Sequence, residues 1–551
     1  MTHRNAVSEV EGLRVPAAAM SAVLSMLVLT ACGGGSGDGP LAGTPAPPPP
    51  SSIVTAVNTG YNTGKFSPSL SFKNQCAKPR SGKSEVTGIT FPDQAGSIVS
   101  ENNFLRSWTN ELYLWYSEVP DLNPNGYSTA DYFALLKSPA KTPSGAARDK
   151  FHFTMSTAEW EGFSQSGTSA GYGATFFVLE SLPPRQVIVA FTDPNTPAAL
   201  AGVARGDEVL NIDGADVINA NSKEDVDKLN AGLSPVADGK SHTFVLRSVA
   251  GVTRTVTLVP ANITSVPVQN VKVLPTVAGN VGYLLFNDHI ATAESQLVAA
   301  INTLKQQNVV DLVVDMRYNG GGFLDIASEL AYMIAGDSRT TGATFERIMF
   351  SDKHPSTDPV TGEALKPTPF LKTTQGFSTT PGSALPTLNL SRVFILTSAD
   401  TCSASEAVMN GLRGVDVQVI QIGTTTCGKP YGFYPEDNCG TTYFAIQFKG
   451  VNAKDFGDYS DGFSPRNTLS TSKGELVDGC SVGDDFGNAL GDPSEDMLAA
   501  ALDYRMSASC PSTPAEFDNS GLSKTSATRD TSHGRLLRPE WRKNRMLRSV
   551  Q

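Results

Sequence analysis

The sequence predicts a multidomain α/β protein with an N-terminal helical subdomain, a small β domain and a layered α/β core. The chain has 551 residues, which is more than one hydrophobic core usually organises. The hydrophobic period changes from a helical one to a period of two near residue 168. After residue 268, continuous apolar strands alternate with amphipathic helices, which is typical of α/β layers.

The composition is that of a globular protein and argues against a nucleic-acid partner. Apolar residues make up 40% of the chain and charged residues 18%. The formal net charge of −11 opposes phosphate binding, which needs a basic face. Basic residues concentrate at 535–548. We expect residues 511–551 to form a solvated, disordered tail, with weak contact to anionic lipid as the alternative.

Residues 1–31 have the features of a signal peptide, with arginines ahead of an apolar stretch too short to span a bilayer. The stretch ends in LTAC at Cys32, which resembles the lipobox of bacterial lipoproteins, where the cysteine is acylated. A leftover buried cysteine is the alternative. Residues 32–85 would be a Gly/Pro/Ser-rich tether. The resemblance implies a membrane anchor in the bacterial cell envelope, facing the periplasm, and Gly33 favours the outer membrane.

Residues 86–165 show helical patterns rich in Trp and Tyr, as in ENNFLRSWTNELYLWYSEV and YSTADYFALLKS. Aromatic side chains at helical spacing predict the core of a small helical subdomain. A ligand platform is the alternative interpretation.

Residues 166–262 contain short β-branched strands such as GATFFVLE and RQVIVAFT, followed by NTPAALAGVARGDEVLNIDG. The order of strands, short helix and glycine-rich turn resembles a PDZ domain of the bacterial protease type. An ordinary small β domain is the alternative. The resemblance implies that Gly171, Tyr172 and Gly173 form the loop before a strand that accepts a peptide as an added strand.

Three segments within residues 263–510 carry candidate chemistry, and each follows a predicted buried strand. DMRYNGGGFLD (315–325) has three consecutive glycines, which suggest close backbone approach or donated N–H groups. ADTCSASEAVMNG (399–411) has serine and glutamate at the spacing of a capping box. IGTTTCGKPYGF (422–433) places a lysine in a glycine-flanked loop. Taken singly, a plain turn, a helix cap and a solvated lysine explain them as well.

Together, the segments resemble the catalytic domain of the S41 peptidases, also called carboxy-terminal processing or tail-specific proteases. The family's motifs D-x-R-x-N-x-G-G, S-A-S-E and T-x-G-K begin here at Asp315, Ser403 and Thr426. The resemblance covers about residues 168–510. It implies a ClpP/crotonase-like layered core and a serine endopeptidase that cleaves polypeptides, with no metal or organic cofactor.

The same resemblance implies that Ser403 is the nucleophile and Lys429 its base. A serine hydroxyl needs a base beside it, and lysine can serve only when neutral, which requires desolvation or a nearby cation. The N–H groups of Ala404 and of a glycine in the run, taken as Gly321, would form the oxyanion hole.

Other residues of the motifs receive structural or rival roles. Ser405 is the rival nucleophile and is expected to help with packing or hydrogen bonding. Glu406 is interpreted as the cap partner, and Arg317 and Asp315 as strand-end groups that hold the glycine loop. His289 would be the base of the alternative, a Ser-His hydrolase on the same fold.

One departure from the family pattern supports a different alternative. Many processing proteases have a glutamine four positions after the lysine, and here that position is Phe433. Orientation of Lys429 would then come from elsewhere, with Tyr431 as a candidate. The departure is the support for a catalytically weak, PDZ-bearing binding or scaffold protein.

Apart from Cys32, six cysteines remain, and an even number in an exported protein suggests disulfides. They are Cys76, Cys402, Cys427, Cys439, Cys480 and Cys510. No C-x-x-C and no histidine cluster supports a metal site. A Cys402–Cys427 bond would tie the serine loop to the lysine loop, with Cys427–Cys439 as a competitor. We also expect Cys76 to pair with Cys510.

Overall fold

The structure is a computed structural model, and it describes residues 61–235, 239–468, 474–510, 535–537 and 545–546. The predicted signal peptide and Cys32 lie outside the described residues. In the described part of the chain, none of the helices combines the length and apolar character that crossing a membrane requires.

Residues 61–166 form a mostly helical region. Serine side chains cap its helices by accepting a backbone N–H, as Ser97 does from Ser100 at 3.1 Å. Its elements are β1 (Gln75–Cys76), β2 (Gln94–Ala95), α1 (Ile98–Leu112), α2 (Thr129–Leu135), β3 (Phe153–Ser156) and α3 (Thr157–Ser166). The aromatic side chains of this region, including Phe104, Trp108 and Phe133, are buried in its core, as the helical pattern predicts.

The next region is a small β domain with two short helices. Its elements are β4 (Thr168–Gly171), β5 (Ala174–Glu180), β6 (Gln186–Thr192), α4 (Pro197–Leu200), β7 (Glu208–Ile212), β8 (Ala215–Asp216), α5 (Lys223–Leu233), β9 (His242–Arg247), β10 (Thr253–Leu258) and β11 (Ala261–Thr264). The main sheet has the order β10-β9-β7-β6-β5, and β4 pairs with β11 beside it. Strand β5 therefore ends this run of the domain's own strands.

The remaining elements build the α/β core. They are β12 (Val268–Leu274), β13 (Val281–Phe286), α6 (Ala293–Gln306), β14 (Asp311–Asp315), β15 (Gly322–Phe323), α7 (Leu324–Ala335), α8 (Asp337–Thr340), β16 (Thr344–Met349), β17 (Thr368–Pro369), β18 (Arg392–Thr397), α9 (Ala404–Gly414), β19 (Gln418–Gly423), β20 (Tyr431–Gly432), β21 (Glu436–Asn438), β22 (Thr441–Phe444), β23 (Phe448–Val451), β24 (Phe463–Pro465), β25 (Glu475–Val477), β26 (Gly479–Ser481) and α10 (Asp496–Ser507).

A six-stranded sheet of order β12-β13-β14-β18-β19-β26 forms the centre of this core. The strands from β13 to β26 run parallel, and β12 pairs antiparallel at one edge. The central strands are buried along their length, as the continuous apolar runs predict. The expected mixed α/β fold with several parts is confirmed.

The two faces of the central sheet are covered differently. Helices α6, α7 and α9 pack on one face through side chains such as Leu297, Leu330 and Leu412. Helix α10 and the β domain's strands β5 and β6 pack on the other, through Leu498 and Ile188 among others. Burial of each such side chain contributes about 1.5 to 3 kcal/mol to the stability of the fold. The β domain is thus packed directly on the sheet that carries the candidate site.

Two short strands near the C-terminus differ from the expected disordered tail. They are β27 (Arg535–Leu536), which pairs with β5, and β28 (Arg545–Met546), which pairs with β15. Leu536 is 3% exposed and Met546 2%, so both side chains bury apolar surface that a count of charges does not register. The other residues of the predicted tail lie outside the described residues, apart from Leu537.

Candidate active site

The three candidate segments meet at the carboxyl ends of neighbouring parallel strands. The glycine loop follows β14, the serine segment follows β18 and the lysine loop follows β19. Since β14 pairs with β18 and β18 with β19, their ends lie at one edge of the sheet. Ligand sites of open α/β sheets form at this edge.

Ser403 stands at the N-terminus of α9 in an unusual backbone conformation. Its φ is 63° and its ψ −112°, which is rare for a residue with a side chain. The residue is buried, and within the described part of the chain its hydroxyl makes no hydrogen bond of normal geometry. The predicted capping box is present: the Ser403 N–H donates to Glu406 at 2.8 Å, and the Ser403 side chain faces the N–H of Glu406 without the geometry of a normal hydrogen bond. The serine hydroxyl is therefore left available for other chemistry.

The two residues that follow Ser403, Ala404 and Ser405, differ in their contacts. Ala404 is the first residue of the helix, where a backbone N–H has no acceptor within the helix. Ser405, the rival nucleophile, is buried and donates its hydroxyl to the carbonyl of Asn319 at 3.0 Å. Ser405 thus ties the helix to the glycine loop, in agreement with its expected structural role.

Glu406 connects the serine segment to the lysine loop. Besides the Ser403 N–H, its carboxylate accepts the N–H groups of Gly428 and Lys429, each at 2.8 Å. It also accepts the Thr426 hydroxyl at 2.5 Å. Burial raises the pKa of Glu406, and the hydrogen bonds from Thr426 and the backbone act against that shift. The role goes beyond the predicted helix cap, because the same carboxylate holds both loops.

Lys429 is fully buried among aromatic rings. Its Nζ lies 4.8 Å from the ring centroid of Phe151 and 4.7 Å from that of Phe433. Phe433, at the position where the family resemblance leads us to expect a glutamine, therefore contacts the amine. Tyr431, the candidate for orienting Lys429, packs edge-on against Trp115, with 4.7 Å between the two ring centroids.

The glycine loop has a defined orientation around His289. The His289 N–H donates to the Gly321 carbonyl at 3.0 Å, and the Phe323 N–H donates to the His289 carbonyl at 2.8 Å. A Cβ on Gly322 would lie 2.2 Å from that carbonyl, so this position requires glycine. Because the C=O and N–H of one trans peptide group point in opposite directions and the Gly321 carbonyl points to His289, the N–H of Gly322 faces away from His289.

The N–H of Gly321, the predicted oxyanion donor, is already bound. It donates to Oδ1 of Asn319 at 2.9 Å. The Nδ1 atom of His289 lies 3.0 Å from the same oxygen, and burial lowers the pKa of His289 to about 3. His289 is thus neutral at physiological pH, and its Nε2 is buried without a hydrogen bond among the described residues.

A buried ion network lies beneath the glycine loop. Arg317 is fully buried and binds Asp315, Asp484 and Glu495. Burial acts to raise the pKa of Asp484, but the cations Arg205 and Arg317 outweigh it and lower the value to about 2. The predicted role of Arg317 and Asp315 at the strand end agrees with these contacts.

Arg205 links the β domain to this network. Its guanidinium donates to Asp484 and to the hydroxyl of Tyr318, both at 2.6 Å. Tyr318 lies in the glycine-loop segment, two residues before the first candidate oxyanion glycine at 320. The turn that resembles the PDZ motif thus has a charged contact with the candidate site.

The described chain has three disulfides, Cys76–Cys439, Cys402–Cys427 and Cys480–Cys510. The bond between the serine and lysine segments was among the predicted pairings, and its Cα atoms are 5.1 Å apart. The expected Cys76–Cys510 bond and the competing Cys427–Cys439 bond are wrong. Cys76 lies in β1 and is bonded to Cys439, whereas Cys510 follows α10 and is bonded to Cys480 in β26. The separation of the cysteines in the sequence does not reveal these pairs.

The predicted peptide loop leads directly into the edge strand β5. Gly173 has φ 77°, and a Cβ there would lie 2.3 Å from Thr196. Gly171 ends β4, while the Tyr172 side chain packs edge-on against Phe244 in the core of the β domain. Contributions of this loop to a peptide surface would therefore come from its backbone.

Several contributors to the site were missed by reasoning from the sequence. Asn319 lies in the quoted motif, where its spacing gave a signal, but its links to Gly321, His289 and Ser405 were not foreseen. Phe151 and Asp484 lie outside every motif, in segments without a local signal.

Comparisons with known proteins cover the part of the chain that carries this site. Residues 280–432 match the family model Peptidase family S41. Over 169 residues the chain is 29% identical to a carboxyl-terminal-processing protease of Picosynechococcus sp., covering 30% of this chain and 39% of the relative. Over 172 residues it is 27% identical to the chloroplastic carboxyl-terminal-processing peptidase 1 of Arabidopsis thaliana, covering 29% and 34%. The chain thus matches well under half of each relative's length.

A solved structure extends the likeness to the fold of most of the chain. A Bacteroides fragilis protein assigned to the S41 proteases superimposes with a TM-score of 0.52 at 23% identity, over 74% of this chain and 97% of that one. At this identity the likeness concerns the fold. The family match spans the glycine, serine and lysine segments, so residues 280–432 carry a domain that matches Peptidase family S41.

Proposed function

We propose that this chain is a serine endopeptidase of the bacterial cell envelope that cleaves polypeptides with a Ser403–Lys429 dyad. The observation that carries the proposal is the state of Ser403. Its hydroxyl lies at a helix N-terminus and makes no hydrogen bond of normal geometry among the described residues, and the Glu406 carboxylate and the Cys402–Cys427 bond join its segment to the lysine loop.

In the proposed reaction, Ser403 Oγ attacks the scissile carbonyl carbon while the neutral Lys429 amine takes the hydroxyl proton. The carbonyl π electrons move to the oxygen, and the resulting oxyanion receives backbone N–H groups at the start of α9. Collapse breaks the C–N bond, and Lys429 returns the proton to the leaving amine. Water then releases the acyl group by the same steps.

The two proposed oxyanion donors are the N–H groups of Ala404 and of the glycine loop. Since Gly321 donates to Asn319, the neighbouring Gly322 is the better candidate within the loop. Its N–H faces away from His289, and the fold tolerates no Cβ at this position.

Full burial of the side chain supports the proposed role of Lys429. Removal from water disfavours the charged form of a lysine, which is the form that cannot accept a proton. The rings of Phe151 and Phe433 also restrict where the amine can lie. We propose that they, with the Glu406 hydrogen bond to the Lys429 backbone, replace the orienting glutamine.

The β domain is proposed to be a PDZ domain that captures substrate by strand addition at β5. Support comes from the loop Gly171–Gly173 directly ahead of this strand. The contacts of Arg205 with Asp484 and Tyr318 would couple peptide capture to the glycine loop.

A location in the envelope, on a lipid anchor at Cys32 in the outer membrane, is proposed on the lipobox resemblance alone. Labelling of growing cells with a radioactive or alkyne fatty acid tests it. Incorporation into the wild-type chain and not into the Cys32→Ser variant is expected, and equal labelling of both would contradict the anchor.

The dyad is tested on residues 33–551, which lack the predicted signal peptide and Cys32. The wild-type chain, Ser403→Ala, Lys429→Ala and the matched control Ser405→Ala are incubated with an unfolded polypeptide. We expect cleavage by the wild type and Ser405→Ala only, with losses of about 10³-fold or more for the other two. Equal cleavage by all four would reject the dyad.

The same experiment separates the alternatives. Cleavage lost in Ser403→Ala but retained in Lys429→Ala would indicate another base, and His289→Ala is then the next variant. Binding of the polypeptide without cleavage by any chain would indicate a scaffold protein. Burial lowers the pKa of His289 to about 3, which makes its imidazole a weak proton acceptor and disfavours the first of these alternatives.

A further inference from the structure

The free edge of the β domain is covered by the chain's own C-terminal segment, of which the structure describes residues 535–537 and 545–546. Strand β27 pairs antiparallel with β5, with Arg535 opposite Val178 and Leu536 opposite Phe177. The Leu537 N–H donates to the Phe176 carbonyl at 2.8 Å. A segment from the far end of the chain is thus added to the sheet in the way that a bound peptide is added to a sheet edge.

Side-chain and backbone contacts fix this strand close to the serine segment. The Leu536 side chain is buried in the apolar cluster that β5, β6 and α10 form with the central sheet. Its N–H donates to Oδ2 of Asp400 at 3.0 Å. Asp400 lies three residues before Ser403, so the added strand contacts both the β domain and the segment that carries the proposed nucleophile.

A second contact of the same C-terminal segment lies on the glycine loop itself. Strand β28 runs parallel to β15, with Arg545 opposite Gly322 and Met546 opposite Phe323. Met546 also forms a β-bridge with Phe433, which contacts Lys429. Residues 545 and 546 therefore lie between the proposed oxyanion loop and the strand that follows the proposed base.

We propose that the C-terminal segment occupies the peptide path of this S41 domain and inhibits it until the segment is displaced. The inference rests on the proposed function and adds to it an occupant of that same path. The segment takes the sheet edge and the glycine loop at once, which are the two places a polypeptide substrate would need. Because it is tethered, its effective concentration reaches the millimolar range, so weak contacts at two points suffice to hold it.

Two apolar anchors make the proposal testable in the whole chain. The double variant Leu536→Asp/Met546→Asp places carboxylates in two buried apolar sites, and we expect it to release the segment. Val277→Asp is the matched control, since Val277 is 97% exposed and lies far from both strands in the sequence. We expect the double variant to cleave unfolded polypeptide at least about tenfold faster than the control. Equal rates would overturn the inhibitory role.

Binding in an inactive background separates this inference from the proposed function. In Ser403→Ala chains, anisotropy of fluorescein-labelled β-casein, an unstructured polypeptide, reports occupancy of the path without cleavage. We expect the double variant to bind at least about tenfold more tightly than Val277→Asp. If affinity rises in this way but chains that retain Ser403 never cleave the polypeptide, the result would support occupation of the path by the C-terminal segment and reject the proposed peptidase activity. Equal affinities would overturn the occupant.

Hydrogen exchange checks the contacts without relying on the variants' stability. The amides of Leu536 and Leu537 each donate a hydrogen bond in the structure, so both are expected to exchange more slowly than in an unstructured peptide. Exchange at the unstructured rate in the unaltered chain would overturn the proposal. Slow exchange there, lost in the double variant while the melting temperature stays near that of the control, would support it.

Discussion

The Glu406 carboxylate binds the backbone of Lys429 directly, since Oε2 accepts the Lys429 N–H at 2.8 Å. The same oxygen accepts the Ser403 N–H at 2.8 Å. One buried atom therefore sets the distance between the segments of the proposed nucleophile and base. A residue in this position acts on the reaction through the residues that it holds, and its substitution should change kcat more than KM.

We expect Glu406→Gln to lower kcat by about 10²-fold, because small displacements of reacting groups have effects of this size. Its amide nitrogen would face N–H donors, and the free energy of unfolding should fall by about 2 kcal/mol or more. Steady-state kinetics and urea denaturation measure the two effects. Glu224→Gln is the control, since the Glu224 side chain is 81% exposed. An unchanged kcat in a folded Glu406→Gln chain would contradict the positioning role.

The Cys402–Cys427 disulfide is predicted to affect activity as well as stability. Its partners are 25 residues apart, and those of Cys480–Cys510 are 30 apart. Loops of such similar length should contribute similarly, about 3 to 4 kcal/mol each. Replacing either pair by alanines should thus lower stability by comparable amounts, while kcat falls strongly only for Cys402→Ala/Cys427→Ala. Equal kcat values for the two double variants at a temperature where both are folded would contradict this.

Local signals predicted the central layers and the three chemical segments, but not the long-range contacts. The apolar runs of β13, β14 and β18 are buried strands because both faces of the sheet are covered. The motifs around Ser403 and Lys429 are local, and strand order brings them to one edge. Arg205 and Asp484, in contrast, are 279 residues apart, and no periodicity connects them.

The C-terminal strands show a second limit of prediction from composition. The segment 535–548 is rich in arginine, and a charge count predicts a solvated tail. Leu536 and Met546 lie between these charged residues in the sequence, and their side chains pack into apolar clusters formed by distant parts of the chain. An edge strand with unpaired N–H and C=O groups supplies the rest of the contact.

Arg205 is predicted to couple the β domain to the glycine loop. Arg205→Met keeps much of the volume but removes the cation that binds Asp484 and Tyr318. Breaking a buried ion pair by removing one partner costs about 3 to 5 kcal/mol. We expect this loss of stability together with a drop of kcat/KM by about tenfold or more for unfolded polypeptide.

Arg254→Met is the matched control for Arg205→Met. Arg254 binds Asp207 and the Gly202 carbonyl, which both lie within the β domain. Its loss should lower stability, with little effect on kcat/KM for the same unfolded polypeptide, because these contacts do not reach the glycine loop. Equal losses of activity for the two variants, compared at temperatures where both are folded, would show that Arg205 has no special link to the site.

Glu329 is predicted to make stability depend on pH. It is fully buried, and its carboxyl faces Glu294, whose two oxygens accept N–H groups of Gln375, Gly376, Ser378 and Thr379. Burial, with the negative charge of Glu294 as the next cause, raises the pKa of Glu329 to about 9 from its ordinary value of 4.5. Between these two values the folded chain keeps a proton that the unfolded chain has lost.

Unfolding therefore releases a proton from Glu329 in this range, and its contribution to stability falls as the pH rises from about 4.5 to about 9. Glu329→Gln cannot ionise at this position, so its free energy of unfolding should decline by up to about 1.4 kcal/mol less per pH unit than that of the wild type. Urea midpoints of wild type and variant at pH 5, 6, 7, 8 and 9 measure the two slopes. Glu224→Gln should keep the wild-type slope, because its side chain is exposed. A Glu329→Gln slope equal to that of the wild type would mean that the carboxyl ionises in the folded chain at its ordinary pKa.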